Sequence, residues 1–462
     1  MQHVNHTVHQ IGSPMRKYLV LVLAGVLLAG ACSVGGSDDD AATTTTAGGG
    51  ADSTATTTAS ATFPPDDRST GVTADSIKVG IPYVDLASLG DVIDIDHGDY
   101  EAAYTAIIDD INADGGINGR RIDPVFAPVL PVGTSPADEA CTKLTEDEQV
   151  FAVVGFAIDD APLCYVNAQH DTPLINSGPI TGARLAEATA PWFSVVASQE
   201  RVNTTLIDAF AADGVFDDAT VGVIAVPDDE ATMDDATVPA LEAAGVTVAD
   251  TAVIDAPADD QAAAQQQVGV IAERFDAAGI DTVVTVGNAG LPTAQGFETT
   301  DYRPRLVGTG FESLATYVGG EGGFDETVIA DAVTGGYATS GVQADEQDMQ
   351  ECAGLVEDAT GTTLPDPADI EAGDPEPYVS VFAACLQLGL FEAIATAAGD
   401  DLNNGTFGQA GYDLGAVDLP GDGGGSTYGP DSLDGDMPIY LLRFDADAGK
   451  FVSDTEPTPT DG

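Results

Sequence analysis

The chain has 462 residues, of which 76 are Asp or Glu and 14 are Lys or Arg, giving a formal net charge of −62. This balance excludes nucleic acid as a partner, because phosphate neutralisation needs clustered Lys and Arg, and it excludes docking on anionic lipid through a basic face. Hydrophobic residues at 44% are enough for a sizeable core, so the acidity does not imply disorder, and the length suggests two or three folding units.

The first element is an address. Arg16 and Lys17 precede an apolar stretch from Tyr18 to Leu28, followed by Ala29, Gly30, Ala31 and Cys32. A basic start, an apolar centre and a small-residue end make a secretory signal. The run resembles a bacterial lipoprotein signal, which implies that Cys32 becomes the lipidated first residue. Residues 1–14 read as an extension upstream of Met15. No second apolar run of 18 or more residues is expected, so nothing else is expected to span a membrane. Residues 33–70 are rich in Thr, Ala, Gly, Ser and Asp and close with Pro64-Pro65. They lack the apolar mass to fold and read as a disordered tether spanning roughly 35 Å.

The body then alternates. Ile77–Ile81 predicts a strand, and Tyr100, Ala103, Tyr104, Ile107, Ile108 and Ile111 recur at helical spacing up to Gly115-Gly116. Ser135-Pro136 starts the next helix. Strands are expected at Val150–Phe156, Pro173–Asn176 and Phe193–Val196. The rhythm repeats with strands at Thr220–Val226, Val246–Ile254, Thr282–Val286 and Arg305–Val307, and with helices at Thr232–Ala244, Gln261–Ala278 and between the last two strands. Later come helices over Asp345–Thr360 and Glu376–Ala398, a Gly-rich loop at 421–425 and a strand at Ile439–Phe444. The fold class is α/β: parallel sheets with helices on both faces, in two Rossmann-like lobes divided near residue 198.

Beyond Cys32 stand Cys141, Cys164, Cys352 and Cys385. Export favours disulfides. Of three possible connectivities, Cys141–Cys164 and Cys352–Cys385 are the simplest, each worth roughly 3 kcal/mol. Cys141 and Cys164 fall on helices flanking the Val150 strand. A metal site has no C-x-x-C or H-x-x-x-H spacing behind it, and no metal or cofactor is expected.

No G-x-x-x-x-G-K, H-E-x-x-H or G-x-S-x-G motif is present, and neither His97 nor His170 lies in a recognisable catalytic pattern. What remains is geometry: open parallel sheets bind ligands beyond the carboxyl ends of their strands. The candidate loops offer aromatics (Tyr83, Phe156, Phe311), hydroxyl and amide groups (Ser88, Ser177, Asn288) and carboxylates (Asp159, Asp228). Such a set suits a small polar ligand with an apolar part, and a basic residue beside the cleft would matter most for an anionic one.

Three stretches carry a family resemblance: Gly71–Gly80, then Ala106–Arg120 with its Asn112-Ala113-Asp114-Gly115-Gly116-Ile117-Asn118-Gly119-Arg120 end, then Ala140–Leu144 with Val150–Gly155. They resemble the branched-chain amino-acid-type substrate-binding proteins of ABC transporters, of type I periplasmic-binding-protein fold, over roughly residues 71–455. The resemblance implies two lobes closing on a small ligand, a hinge crossed three times, a membrane permease as partner and no catalysis. It divides the chain into an N-terminal lobe at 71–197, a C-terminal lobe at 198–330, a return at 331–400 and a C-terminal-lobe tail at 401–462. In the family, loops after the first, fourth and fifth strands contribute to the site. By position these fall on Tyr83, on Phe156-Ala157, where the family usually has small hydroxyl residues, and on Ser177-Gly178. The expectation is an extracytoplasmic, lipid-anchored, monomeric binding protein for an amino acid, amide or organic acid. A ligand sensor of the same fold is the alternative.

Overall fold

The computed structural model describes residues 70–89, 96–131, 135–157, 161–178, 180–257, 260–319, 323–337, 344, 346–365, 375–453, 458 and 460. The signal, Cys32 and most of the tether lie outside the described residues.

The body opens with β1 (Ser76–Val84), whose Ile77, Val79 and Ile81 are fully buried. The helix α1 (Tyr100–Ala113) follows. Asp99 caps it by accepting from the Ala102 N–H. Gly116, at φ 69°, ends it with an N–H that returns to the Ile111 carbonyl. The next strand, β2 (Arg121–Val129), pairs in parallel with all nine positions of β1. Its Pro124 and Pro128 hide it from a pattern search. It tolerates them because it is the edge strand, where a missing N–H need not break a ladder. Then come α2 (Ser135–Thr142), β3 (Ala152–Gly155), α3 (Ala161–Val166), β4 (Leu174–Asn176), α4 (Gly182–Glu187) and β5 (Trp192–Ser194). The sheet order is β2-β1-β3-β4-β5, all parallel.

The chain crosses into a second sheet through α5 (Gln199–Ala212). There β6 (Val221–Ala225), β7 (Val248–Val253), α6 (Gln261–Ala278), β8 (Thr282–Thr285), α7 (Gly290–Glu298), β9 (Arg305–Gly308) and β10 (Val333–Tyr337) follow. The remainder supplies α8 (Gln347–Thr360), α9 (Tyr378–Ala398), α10 (Asn404–Tyr412), the paired β11 (Gly415–Val417) and β12 (Ser426–Tyr428), and finally β13 (Ile439–Asp445) and β14 (Lys450–Val452). The second sheet runs β14-β13-β10-β9-β8-β6-β7, with β13 and β14 antiparallel. The parallel part, β7-β6-β8-β9-β10, repeats the order of the first sheet. In each sheet the order in which strands are added therefore reverses once, between β1 and β3 and between β6 and β8.

Segments change lobe at places the sequence reading put elsewhere. Strand β10 belongs to the second sheet, so the chain leaves that sheet after residue 337 and not at 330. Its Gly335 permits this, since a Cβ there would meet Leu206 of α5 at 2.1 Å. Helices α8 and α9 share a core with β1 and α1. So do Phe407 and Tyr412 of α10, although 401–462 was expected in the second lobe. Three glycines mask α10 as a helix. Gly411 is required, because a Cβ would meet the Phe193 ring at 2.1 Å. Helix α9 corrects another expectation. It is long and apolar enough to cross a membrane, and it was not counted as a second apolar run. Most of its large apolar residues, from Val381 to Ile394, are buried in the first lobe, as in a core helix of a globular protein.

Both disulfides are present. Cys141 of α2 joins Cys164 of α3, and Cys352 of α8 joins Cys385 of α9.

Candidate functional site

The carboxyl ends of β1, β3 and β4 bring five of the expected residues to one edge of the first sheet. These strands are the first, third and fourth of the chain, one fewer than the family count for the last two. Tyr83 is half-buried near the end of β1. Its ring stacks on Tyr100 at 5.9 Å and meets Phe126 edge-on at 6.4 Å, and its hydroxyl donates to Glu101 at 2.7 Å. Burial, then the Glu101 carboxylate, push the phenol well above its ordinary value. The Phe156 N–H donates to the Pro82 carbonyl at 2.8 Å, which lays β3 against β1. A Cβ on Gly178 would stand 3.3 Å from the Ala157 carbonyl, so the loops carrying Phe156-Ala157 and Ser177-Gly178 touch. The Gly178 carbonyl accepts from the Ser194 hydroxyl at 3.1 Å. Ser88 lies in the loop after β1 and donates to Asp85. Asp159 lies outside the described residues.

In the second lobe the loops after β6, β8 and β9 converge. A short turn over Pro227–Asp229 leaves Asp228 exposed and buries Asp229 to 3% exposure. Asp229 accepts from the Gln199 amide and, at 2.8 Å, from the Asn288 N–H. Gly287, at φ 53°, lies over the Asp229 carboxylate, and a Cβ on Gly310 would meet the Gly287 carbonyl at 2.4 Å. Asn288 is exposed beside them. Phe311 begins the helix after β9, and its side chain is outside the described residues.

Asp229 was missed by the sequence reading. It shares an acidic run with Asp228, and nothing in the run says which side chain turns inward. Burial raises its pKa, Asp228 adds to the rise, and the Gln199 amide, the Asn288 N–H and the Arg184 charge oppose it. Arg184, on α4 of the first lobe, is therefore near enough to act electrostatically on a carboxylate of the second.

The crossing segments lie together. Ser194 donates to the Leu433 carbonyl at 2.9 Å, and the Tyr428 hydroxyl donates to the Ser194 carbonyl at 2.9 Å. Arg201, at the start of α5, grips the return. It donates to Asp434 at 3.0 Å, to Asp436, and to the Thr460 carbonyl at 2.6 Å. Burial opposes its charge, but the two carboxylates outweigh burial and raise its pKa.

His170 lies 3.6 Å from both sulfurs of the Cys141–Cys164 bridge, and its Nδ1 faces the Cys164 carbonyl at 2.7 Å. These three residues are the only group of possible metal ligands among the described residues, and the disulfide occupies two of them.

The sequence matches the profile of the periplasmic binding protein family over residues 77–363. No curated protein matches it significantly. Among solved structures, it is similar to an ABC transporter substrate-binding protein from Desulfitobacterium hafniense in complex with Leu (TM-score 0.55, 16% identity, 82% of this chain and 100% of that one). It is also similar to a solute-binding protein from R. palustris in complex with 4-hydroxybenzoate (0.57, 14%, 84% and 98%). A third is a periplasmic binding protein type 1 from Bordetella pertussis Tohama I (0.57, 14%, 83% and 100%). The repeated strand order, the adjoining crossings and the family profile agree: this chain belongs to the periplasmic binding protein family and has its type I fold.

Proposed function

We propose that this protein is the extracytoplasmic substrate-binding component of an ABC uptake transporter, tethered to the outer face of the membrane by lipid on Cys32 and acting as a monomer. It captures a small polar organic ligand between its lobes and presents the closed form to a permease. The single observation behind this reading is the paired architecture. Two sheets of the same strand order each place a switch-point edge among the candidate loops, and the segments joining them run side by side. The first lobe contributes Tyr83, Phe156, Ala157, Asp159, Ser177 and Gly178, and the second contributes Asp228, Asn288 and Phe311. The similar proteins described above were solved with leucine and with 4-hydroxybenzoate, so an amino acid and an aromatic acid both fit the reading. No catalytic step is assigned.

Mass spectrometry of small molecules carried through purification, followed by thermal shift against amino acids, amides, urea and small organic acids, tests the proposal. A ligand that raises the melting point, and whose affinity falls about tenfold or more in Tyr83→Ala, supports it. No shift with any of these compounds defeats it.

A further inference from the structure

The Cys141–Cys164 bridge has a histidine aimed at both of its sulfurs. The His170 side chain is 10% exposed, and its Nδ1 lies 3.6 Å from each sulfur. On the other side of the ring, Nε2 faces the Glu146 carboxylate at 3.1 Å. The turn that carries His170 is held in place. The Asn167 side chain accepts from the N–H groups of Gln169 and His170, at 2.9 and 3.1 Å, and Asp171 takes a left-handed φ of 47°. Glu146 stands on a π-helical turn, Lys143–Asp147, that follows α2 and its Cys141 directly.

This cluster stands apart from the ligand loops. Cys141 precedes β3 and His170 precedes β4, so both lie at the amino-terminal edge of the first sheet. Tyr83, Phe156 and Ser177 mark the opposite edge. The distances at the cluster suit a metal once the bridge is opened. Zinc bonds a thiolate at about 2.3 Å and an imidazole at about 2.0 Å, so a tetrahedral centre sets sulfur and nitrogen about 3.5 Å apart. His170 already stands at that separation from both sulfurs. Only the sulfurs have to part, to about 3.8 Å.

We propose that Cys141, Cys164 and His170 form a redox-gated zinc site. It is closed to metal while the bridge is intact, and it offers two thiolates and one imidazole once a dithiol reduces the bridge. The dithiol gives up two electrons and two protons and becomes a disulfide, while the two cysteines become thiols. Zinc then displaces one proton from each thiol into solvent. Nδ1 exchanges its contact with the Cys164 carbonyl for the metal, and the ring proton sits on Nε2, where Glu146 accepts it. A carboxylate behind a metal-bound histidine fixes its tautomer and strengthens it as a ligand. Two thiolates select zinc over magnesium or calcium, and the fourth position is left to water. This inference goes beyond the transport reading and does not rest on it.

The test uses the whole protein, opened by a phosphine that takes oxygen from water as it reduces both bridges, with zinc itself as the probe. Calorimetry should find one zinc on the reduced protein and none on the oxidised one. Zinc should slow alkylation of Cys141 and Cys164, read peptide by peptide, and leave Cys352 and Cys385 unprotected. His170→Ala should weaken zinc about tenfold or more, and Glu146→Gln about tenfold. The Glu146 side chain is 52% exposed, so Glu146→Gln keeps the fold and decides the matter if His170→Ala does not fold. The reduced parent should melt cooperatively, at a midpoint that zinc raises by a few degrees. No zinc on the reduced protein, equal uptake by the oxidised one, or protection centred on Cys352 and Cys385 overturns the site. So does unchanged zinc affinity in both variants, or a reduced protein with no cooperative melt in the presence of zinc. The transport reading survives each of these results.

Discussion

The two lobes share a strand order and differ in what closes them. The first lobe is tied covalently, by Cys141–Cys164 between α2 and α3 and by Cys352–Cys385 between α8 and α9. Its core is aromatic: Phe151 and Phe193 both meet Phe407 edge-on, at 5.6 and 6.2 Å, and Phe193 also meets Tyr412 at 6.3 Å. The second lobe has no disulfide among its described residues. It packs Val, Leu and Ile around rings of its own, Phe297 on Tyr302 at 5.3 Å and Phe324 on Phe444 at 5.7 Å, and it closes by accepting the chain's end as the antiparallel pair β13 and β14. The reason lies in chain connectivity. Helices α8 to α10 join the first lobe after the five parallel strands of the second sheet, β6 to β10, so this lobe must recruit a distant segment. A disulfide within that segment lowers the entropy cost of the recruitment, and the burial of bulky rings beneath it offsets the rest.

Removing the covalent ties should break the comparison most. Replacing Cys352 and Cys385 with Ala is expected to cost about 3–4 kcal/mol, since the bridge spans 33 residues. The loss should fall on the first lobe, so calorimetry of the variant should resolve two transitions with the first-lobe step displaced downwards. A single transition shifted as a whole would mean that the lobes unfold as one unit.

Arg201→Met acts between the lobes and not within either. It leaves Asp434 and Asp436 without their cation, at a cost of about 2–3 kcal/mol once the 21% exposure of the arginine side chain is allowed for. Urea midpoints are the measurement, and both lobes should be affected. A loss below about 0.5 kcal/mol would remove Arg201 from this role.

Acidity gives the smallest effect. Burial raises the pKa of Asp229 in the second lobe, and of Glu346, Glu392 and Asp422 outside it. An acid whose folded pKa lies above its unfolded value stabilises the fold below the unfolded value and loses that contribution as pH rises. The window opens just above pH 4, where free Asp and Glu titrate. The melting point should therefore rise by a few degrees from pH 7 to pH 5. The lowered Asp325 carboxyl, at the surface, keeps its contribution over this range and loses it only below about pH 4. A melting point that falls steadily over that range contradicts the assignment of these buried acids.

Much of the fold was legible because its signals are local. Helix α6 runs from Gln261 to Ala278 as the pattern predicts. The reasons are the Asp260 side chain, which accepts from the Ala263 N–H, and Gly279, which takes the left-handed cap at φ 73°. The strand–loop boundaries at Tyr83, Phe156 and Ser177 were readable from β-branched runs ending in turn residues, and so were the loops around Asp228 and Asn288. The orientation within those loops was not. Asp228 and Asp229 are chemically identical neighbours, and only the contact with Gln199 and Asn288, from distant parts of the chain, turns one of them inward.

The sequence by itself determined the alternation of strand and helix, the acidic character and the strand ends on which a ligand site can stand. These follow from periodicity, composition and short-range capping. The tertiary structure alone decided that the proline-bearing β2 is an edge strand and that the glycine-bearing β10 and α10 are regular elements. It also decided that α9 is a core helix, and that Asp229 and not Asp228 turns inward. Each of these depends on a partner far away in sequence. A glycine reads as a break until the ring or side chain that needs its space is in place, and a charge has no role until its neighbours are known.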